Sequence, residues 1–347
     1  MAKEVLFGKT FIELEGVVAD LGLPKFTARQ IADWLYKKDI SSIEEMTNIS
    51  LKNREIISEK YTFGLQAFKN FQQSVDGTKK YLFPSLNGKY IETAYIPELT
   101  RNTLCVSSQV GCKMGCLFCM TGKQGFQGNL TAGEIVNQIR SLPEKDLVSN
   151  IVYMGMGEPL DNTAEVLKSL EILTSEWGFA MSPRRITIST IGMIPGMQEF
   201  LEKSECHLAI SLHTPFDDER KKLMPVENIY PIRDVIQELR KFNWYKQRRV
   251  SFEYIMFKNL NDTDHHVHEL VRLLNGIKCR INLIRFHPIP DTPLEGSPDA
   301  VIEQFRDKLN AKGITTTIRR SRGQDIYAAC GLLSTKELLK KEGDEEF

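Results

Sequence analysis

No apolar stretch in the 347 residues approaches the length of a membrane-crossing helix. No charge sign predominates either, since 45 Lys and Arg stand against 45 Asp and Glu. The first absence excludes a helical membrane protein. The second speaks against a chain that coats nucleic acid along its whole length, although basic clusters occur at Arg184-Arg185, Lys246 to Arg249 and Arg319-Arg320-Ser321-Arg322. Taken alone, each of these is a solvated face. Cysteine is scarce and odd in number at seven, so a disulfide scaffold is excluded and a reducing cytoplasm is the expected location. The start, Met1-Ala2-Lys3-Glu4-Val5-Leu6-Phe7, lacks the apolar core and cleavage site of a secretory leader. Internal repeats and low-complexity linkers are also missing. What remains is ordinary globular composition, long enough for one large domain plus an appendage.

The pattern changes along the chain. Residues 9 to 62 carry apolar positions at helical spacing, among them Phe11, Leu14, Val17, Val18, Leu21, Ile31, Trp34, Leu35, Ile56 and Ile57. Pro24 is expected near the first turn of a second helix and Ser50 at the N-cap of a third. From 65 to 96, Asp76-Gly77 and Asn87-Gly88 separate short β-prone runs, which is a hairpin signal. From about 103 onward, strand runs (103–107, 151–154, 185–189, 208–212, 250–255, 281–284, 315–318) alternate with helical patterns such as 131–142, 163–175, 231–242, 264–275 and 299–311. Alternation of this kind implies parallel strands under covering helices. An α/β fold built on a partial, open (β/α)6-type barrel is expected, with a small helical N-terminal domain and a β-hairpin extension; a doubly wound sheet is the alternative. The expected division is 1–64, 65–100, 101–335 and a charged tail at 336–347.

Within this frame, Gly111-Cys112-Lys113-Met114-Gly115-Cys116-Leu117-Phe118-Cys119 follows the first barrel strand, at the sheet end where α/β active sites lie. The C-x3-C-x2-C spacing supplies three thiolates, one short of a closed cubane, so one iron keeps an open position for chemistry. A zinc site would want a further Cys or His at matching spacing nearby, and none follows. A second candidate is Met154-Gly155-Met156-Gly157-Glu158-Pro159-Leu160, which on its own reads as a strand-to-helix turn. Small polar residues end later strands: Ser189-Thr190, Ser211-Leu212-His213, and Asn282 to His287. A cofactor lying across a barrel mouth needs such tips, although Ser and Thr also cap helices. Cys105 and Cys330 read singly as buried small hydrophobes, Glu92 as a solvent-facing hairpin residue, and His265, His266 and His268 as members of an exposed helix.

The cysteine loop resembles the radical S-adenosylmethionine (SAM) superfamily, which implies a [4Fe-4S] cluster on Cys112, Cys116 and Cys119 with SAM bound to its open iron. Together with 106–112, 154–159, 188–190, 211–213 and 322–331, it makes the chain similar to the RlmN/Cfr family of RNA adenosine methyltransferases. That resemblance implies SAM contacts from Gly157, Glu158, Ser189, Ser211, Leu212, His213 and His287, the last at a position where family members usually carry Asn. It further implies two SAM per turnover: one methylates Cys330, and the other supplies the radical that activates the S-methyl group. Carbon then joins the adenine ring, Cys105 attacks the Cys330 sulfur to release the base and form a disulfide, and Glu92 accepts a proton. The implied partners are 23S rRNA and tRNA, held in part by residues 1–64, and an external electron donor such as a flavodoxin system. A monomer with no membrane partner is expected. Carbon-2 is the expected target. Carbon-8, as in the Cfr type, is the alternative, and a radical SAM protein-activating enzyme is a second one.

Overall fold

The computed structural model describes residues 3–244 and 249–326, so Cys330, Lys246, Arg248 and the 336–347 tail lie outside the described residues. In the amino-terminal part, β1 (Glu4–Val5) is followed by α1 (Phe11–Asp20), α2 (Thr27–Tyr36), α3 (Leu51–Lys60) and β2 (Tyr61–Thr62). β1 and β2 pair in parallel and bring the two ends of the unit together. Thr10 and Glu13 cap α1 reciprocally, each side chain accepting the other's amide. Ser50 caps α3 through the Asn53 amide, as its position suggested. Pro24 stands just before α2 rather than inside its first turn, and its carbonyl accepts from Thr27. Leu14, Val17, Val18, Ile31 and Leu35 are buried, at the three- and four-residue spacings that an inward helix face requires.

β3 (Asn70–Gln73), β4 (Lys79–Pro84) and β5 (Tyr90–Pro97) form antiparallel hairpins around Asp76-Gly77 and Asn87-Gly88. β6 (Asn102–Cys105) pairs antiparallel with β5 and begins the parallel region. A small hairpin of β7 (Gln109–Gly111) and β8 (Phe126–Asn129) encloses the cysteine loop and α4 (Met120–Lys123). The βα units then run α5 (Ala132–Arg140), β9 (Asn150–Tyr153), α6 (Thr163–Thr174), β10 (Ile186–Thr190), α7 (Ile194–Lys203), β11 (His207–Ser211), α8 (Asp217–Leu223), α9 (Ile232–Lys241), β12 (Val250–Met256), α10 (Asp264–Leu274), β13 (Cys279–Arg285), α11 (Asp299–Ala311) and β14 (Thr315–Ile318).

The main sheet has ten strands in the order β14-β13-β12-β11-β10-β9-β6-β5-β4-β3, and β6 with β9 through β14 are parallel. Laid flat, ten strands would put β3 and β14 about 43 Å apart, at roughly 4.8 Å per neighbour. Yet Gly323, five residues past the end of β14, donates its amide to Asp76 in the β3–β4 turn at 2.9 Å. Five residues span at most about 18 Å. The sheet is therefore curled, which favours the partial barrel over the doubly wound alternative. Arg319 likewise reaches Met154, beyond β9, at 3.4 Å.

Alternation along the strands separates the two faces. Ile151, Tyr153, Ile186, Ile188, Leu208 and Ile210 are buried in the apolar core that the helices share. The opposite face is polar. Its register rows run Lys80–Ala94–Cys105–Val152–Thr187–His207, then Ser189–Ala209–Ser251–Arg280, and Ser211–Glu253–Asn282–Thr317. Glu92, two residues from Ala94 on the same strand, shares that face.

Candidate active site at the strand ends

The cysteine loop leaves β7 through Gly111, whose φ of +70° suits glycine. A Cβ there would lie 1.8 Å from the Gly125 carbonyl oxygen, so only glycine allows the two backbones to meet. Cys112 donates its amide to the same carbonyl at 3.1 Å, and Cys119 donates to Cys116 at 3.1 Å. Leu117 ties the loop to the end of α8 through the Leu223 carbonyl, 2.9 Å away. Cys116 packs among Ile191, Leu223, Met224, Val226, Phe257 and Phe286. Burial, with Cys119, Glu158 and Asp161 nearby, pushes the Cys112 thiol up to about 12 despite the Met114 amide, and Cys116 rises for the same leading reason. Buried thiols kept from ionising by desolvation and by one another suit a cationic iron–sulfur core, which stabilises them as thiolates. Among the described residues no three His, Cys, Asp or Glu side chains gather tightly enough to cage one metal ion. A cubane asks for something else, since each thiolate binds a different iron at a different corner.

The glycine-rich turn after β9 lies beside this loop. Gly157 has φ +98°, and a Cβ there would lie 2.5 Å from the Gln109 Cβ. Glu158 is buried. Its carboxylate accepts from the Leu160 amide at 3.0 Å and from the Ile191 amide at 2.9 Å, so it joins the tip of β10 to the turn. Burial outweighs these donors and that of Thr190, and pushes its carboxyl up to about 7. Ser189 and Ser211 are half-buried on the polar face, and Leu212 is buried behind Ser211. His287 is half-buried just beyond β13, and burial, with Arg285 near, keeps it below the usual histidine range.

His213 adopts φ +59°, unusual for a non-glycine residue. Its Nδ1 accepts from the Ile255 amide at 3.0 Å, which places the proton of the neutral ring on Nε2, and its ring meets Phe118 edge-on at 4.7 Å. Burial, then the Arg220 charge, lowers it to about 3. An unfolded histidine titrates near 6.5. The folded state therefore lacks a proton that the unfolded state binds between these values, and stability is lost as pH falls from 6.5 toward 3, by up to about 1.4 kcal/mol per unit. We predict that the urea midpoint falls over this range, and less steeply in His213→Asn, since Asn tolerates the backbone angle. Equal slopes would contradict the assignment.

Three placements differ from what the sequence suggests or escape it. Glu92 does not face solvent. It is 2% exposed and pairs with Lys80, itself 1% exposed, at 2.6 Å, because β5 is covered on both sides. His266 is not exposed on α10; its ring contacts the Thr263 hydroxyl at 2.7 Å and Glu219 at 3.0 Å, whereas His268 is exposed. Arg220, inside the charged run Asp217 to Lys222, is fully buried. It donates to the carbonyls of Leu212 at 3.2 Å, Ile191 at 2.8 Å and Ser211 at 3.0 Å, and pairs with Glu227. One guanidinium thus binds the tips of β10 and β11. The usable signal was that Arg220 and Leu223, three apart, share the buried side of α8.

The structure gathers Glu92, Cys105, Ser189 and Ser211 on one face of the sheet, with the cysteine loop, the Gly157-Glu158 turn and His213 at its strand ends. Cys330 lies outside the described residues. Residues 106–274 match the radical SAM superfamily, and residues 5–62 match the ribosomal RNA large subunit methyltransferase N-terminal domain. A probable dual-specificity RNA methyltransferase RlmN from Parabacteroides distasonis is 58% identical over 333 residues, 96% of this chain and 97% of the relative. A dual-specificity RNA methyltransferase RlmN from Campylobacter hominis is 43% identical, over 93% of this chain and 96% of the relative. Among solved structures, a radical SAM methyltransferase from Sphaerobacter thermophilus aligns with a TM-score of 0.88 at 38% identity, covering 94% of this chain and 98% of that one.

Proposed function

The chain belongs to the RlmN family of radical SAM RNA methyltransferases, and we propose that it methylates carbon-2 of adenosine in 23S rRNA and tRNA through a methyl group carried on Cys330. The observation that carries this reading is the placement of Cys105 and Glu92 on one polar sheet face, at whose strand ends the three-cysteine loop sits. A protein-activating radical enzyme would have no use for that thiol and carboxylate.

When bound by Cys112, Cys116 and Cys119, a [4Fe-4S] cluster with SAM supplies the hydrogen-abstracting power that an unactivated methyl group demands. The residues of the chain do the rest. Gly157, Glu158, Ser189, Ser211, Leu212, His213 and His287 hold SAM, two molecules being used per turnover. His213 offers its Nε2–H because Nδ1 is already engaged with Ile255. Cys330 takes the methyl group by displacement and presents the carbon to adenine. Carbon-2 is an electrophilic amidine carbon and cannot attack SAM directly, which is why a protein thiol intervenes. Glu92, held by Lys80 away from water, accepts the proton lost from the ring. Cys105, as its thiolate, attacks the Cys330 sulfur. The sulfur–methylene bond breaks, and its electron pair stays on the carbon, which takes up a proton to become the methyl group of the departing base. The disulfide left behind is returned to two thiols by an external thiol reductant.

The base must leave its stack to reach this face, and residues 1–64 serve as an accessory holder of folded RNA, read by shape and backbone. An external donor such as a flavodoxin system supplies electrons, and the enzyme works as a cytoplasmic monomer. Among the described residues no helix is long and apolar enough to cross a membrane. Anaerobic reconstitution with SAM and either RNA, followed by chromatographic separation of methyladenosines, tests the reading; 8-methyladenosine as product would replace it with the Cfr type. We also predict that Cys105→Ala accumulates an RNA-linked protein, visible as a slow nuclease-sensitive band on denaturing gels. Normal turnover in that variant would remove Cys105 from the cycle.

A further inference from the structure

The turn between β3 and β4 and the segment leaving β14 are fastened by two aspartates some 250 residues apart. Asp76 accepts the Gly323 amide at 2.9 Å, and Arg322 lies 4.0 Å from the same carboxylate oxygen. In return, Asp325 accepts the Ser74 hydroxyl at 2.5 Å and the Val75 amide at 3.1 Å. The turn is itself braced, with Ser74 donating to the Thr78 carbonyl at 2.8 Å and Asp76 accepting the Thr78 amide at 2.9 Å. Partial burial raises the Asp76 carboxyl, but the Gly323, Thr78 and Ser74 donors outweigh it and hold it at about 2. The Ser74 and Val75 donors lower Asp325 as well. Both carboxylates are therefore charged at neutral pH.

Among the described residues, β3 and β14 are the two outermost strands of the main sheet. The aspartates join those strands through side chains, and among the described residues no strand pairing does so. The segment they fasten leads directly to Cys330, five residues beyond Asp325 (330 − 325). We propose that Asp76 and Asp325 are positioning residues that buckle 319–325 across the open side of the barrel and fix the root of the arm bearing Cys330. This rests on the reading of Cys330 as the methyl carrier.

The buckle sets the length of the tether. With it, the chain is anchored to the sheet at Asp325, five residues before Cys330, a contour of at most about 18 Å. Without it, the nearest anchor to the sheet among the described residues is Arg319, whose amide donates to the Leu283 carbonyl at 2.8 Å, and the separation from Cys330 grows to eleven residues. Effective concentration falls roughly as the −3/2 power of tether length, so going from five to eleven residues costs about threefold, and more where orientation matters.

The test uses the full-length reconstituted enzyme with Asp76→Ala, Asp325→Ala and the double variant. Single-turnover methyl transfer is started from enzyme already methylated on Cys330, and amide exchange is followed at Val75 and Gly323. Because the Ser74 hydroxyl donates to Asp325 and accepts the Asp76 amide, loss of either aspartate should open the whole buckle. We expect a loss in transfer rate of about three- to tenfold in each single variant, faster exchange at both amides, and a double variant no slower than the worse single one. RNA affinity and cluster content should stay at the wild-type level. Asp325→Asn, which keeps the shape and the acceptor for Ser74 but not that for Val75, should fall between and serves if alanine impairs folding. Faster exchange with an unchanged transfer rate would overturn the positioning role, as would multiplicative losses in the double variant. Mass spectrometry of wild-type Cys330 separates the two readings. An active enzyme with no methyl group there overturns the carrier assignment and the positioning role with it, whatever the exchange data show.

Discussion

Cys330→Ala is expected to abolish methyl transfer to RNA, by on the order of 10⁴-fold, while the iron–sulfur absorbance of the reconstituted protein is retained. The size of the effect follows from where the other thiols are. Cys112, Cys116 and Cys119 are confined to the loop proposed to hold the cluster. Cys206 is 1% exposed in the helix-side core just before β11. Cys279 begins β13, at the opposite end of the strand from the proposed site. Cys105 shares the polar sheet face but is locked in the β6 ladder, and its proposed task is to receive the sulfur at the end of the cycle. None of the six can stand in as a carbon carrier. Radiolabel transfer from methyl-labelled SAM to RNA is the measurement, with absorbance as the control. Residual full activity would show that carbon reaches the base by another route.

Arg220→Met should lower unfolding stability by about 3–5 kcal/mol and reduce cluster retention. The variant removes one cation and leaves Glu227 buried, with the Ile232 amide still donating to its two oxygens at 3.0 and 3.1 Å. The carbonyls of Ile191, Ser211 and Leu212 lose a donor at the same time. Arg220→Met combined with Glu227→Leu should recover much of the loss, because an apolar pair avoids the desolvation that the ion pair requires. Urea unfolding of the apo protein gives the stability, and iron content after reconstitution gives the second readout. A single variant within about 1 kcal/mol of wild type would mean that the strand tips are held by other contacts.

Much of the frame was readable from local rules. Hairpin turns fell at Asp76-Gly77 and Asn87-Gly88, and the seven strand runs lie within a residue or two of the observed strands, because turn chemistry and alternation act over a few residues. Alternation does not reveal what covers each face, which is why Glu92 looked solvent-facing and proved to be buried against Lys80. His266 was misread for a related reason: α8 supplies Glu219 from 47 residues away. Arg220 sits in a run of charges that resembles a solvated surface, and only its partners on two strand tips distinguish it. Nothing local joins Asp76 to Asp325, since curling of the sheet creates their contact. Cys330 itself was marked by motif, not by geometry.

Among the described residues the sheet stops short of closing, and its two rims carry backbone groups that could recruit a strand from another molecule. The β3 rim is written as Asn-Phe-Gln-Gln, mostly exposed, which gives an incoming chain little apolar surface to bury. The β14 rim, Thr-Thr-Thr-Ile, is the more adhesive of the two, and it runs straight into Arg319 and Arg320, charges that discourage stacking of like copies. Trimming those two arginines to neutral residues should therefore first be felt as a tendency to self-associate in concentrated solution.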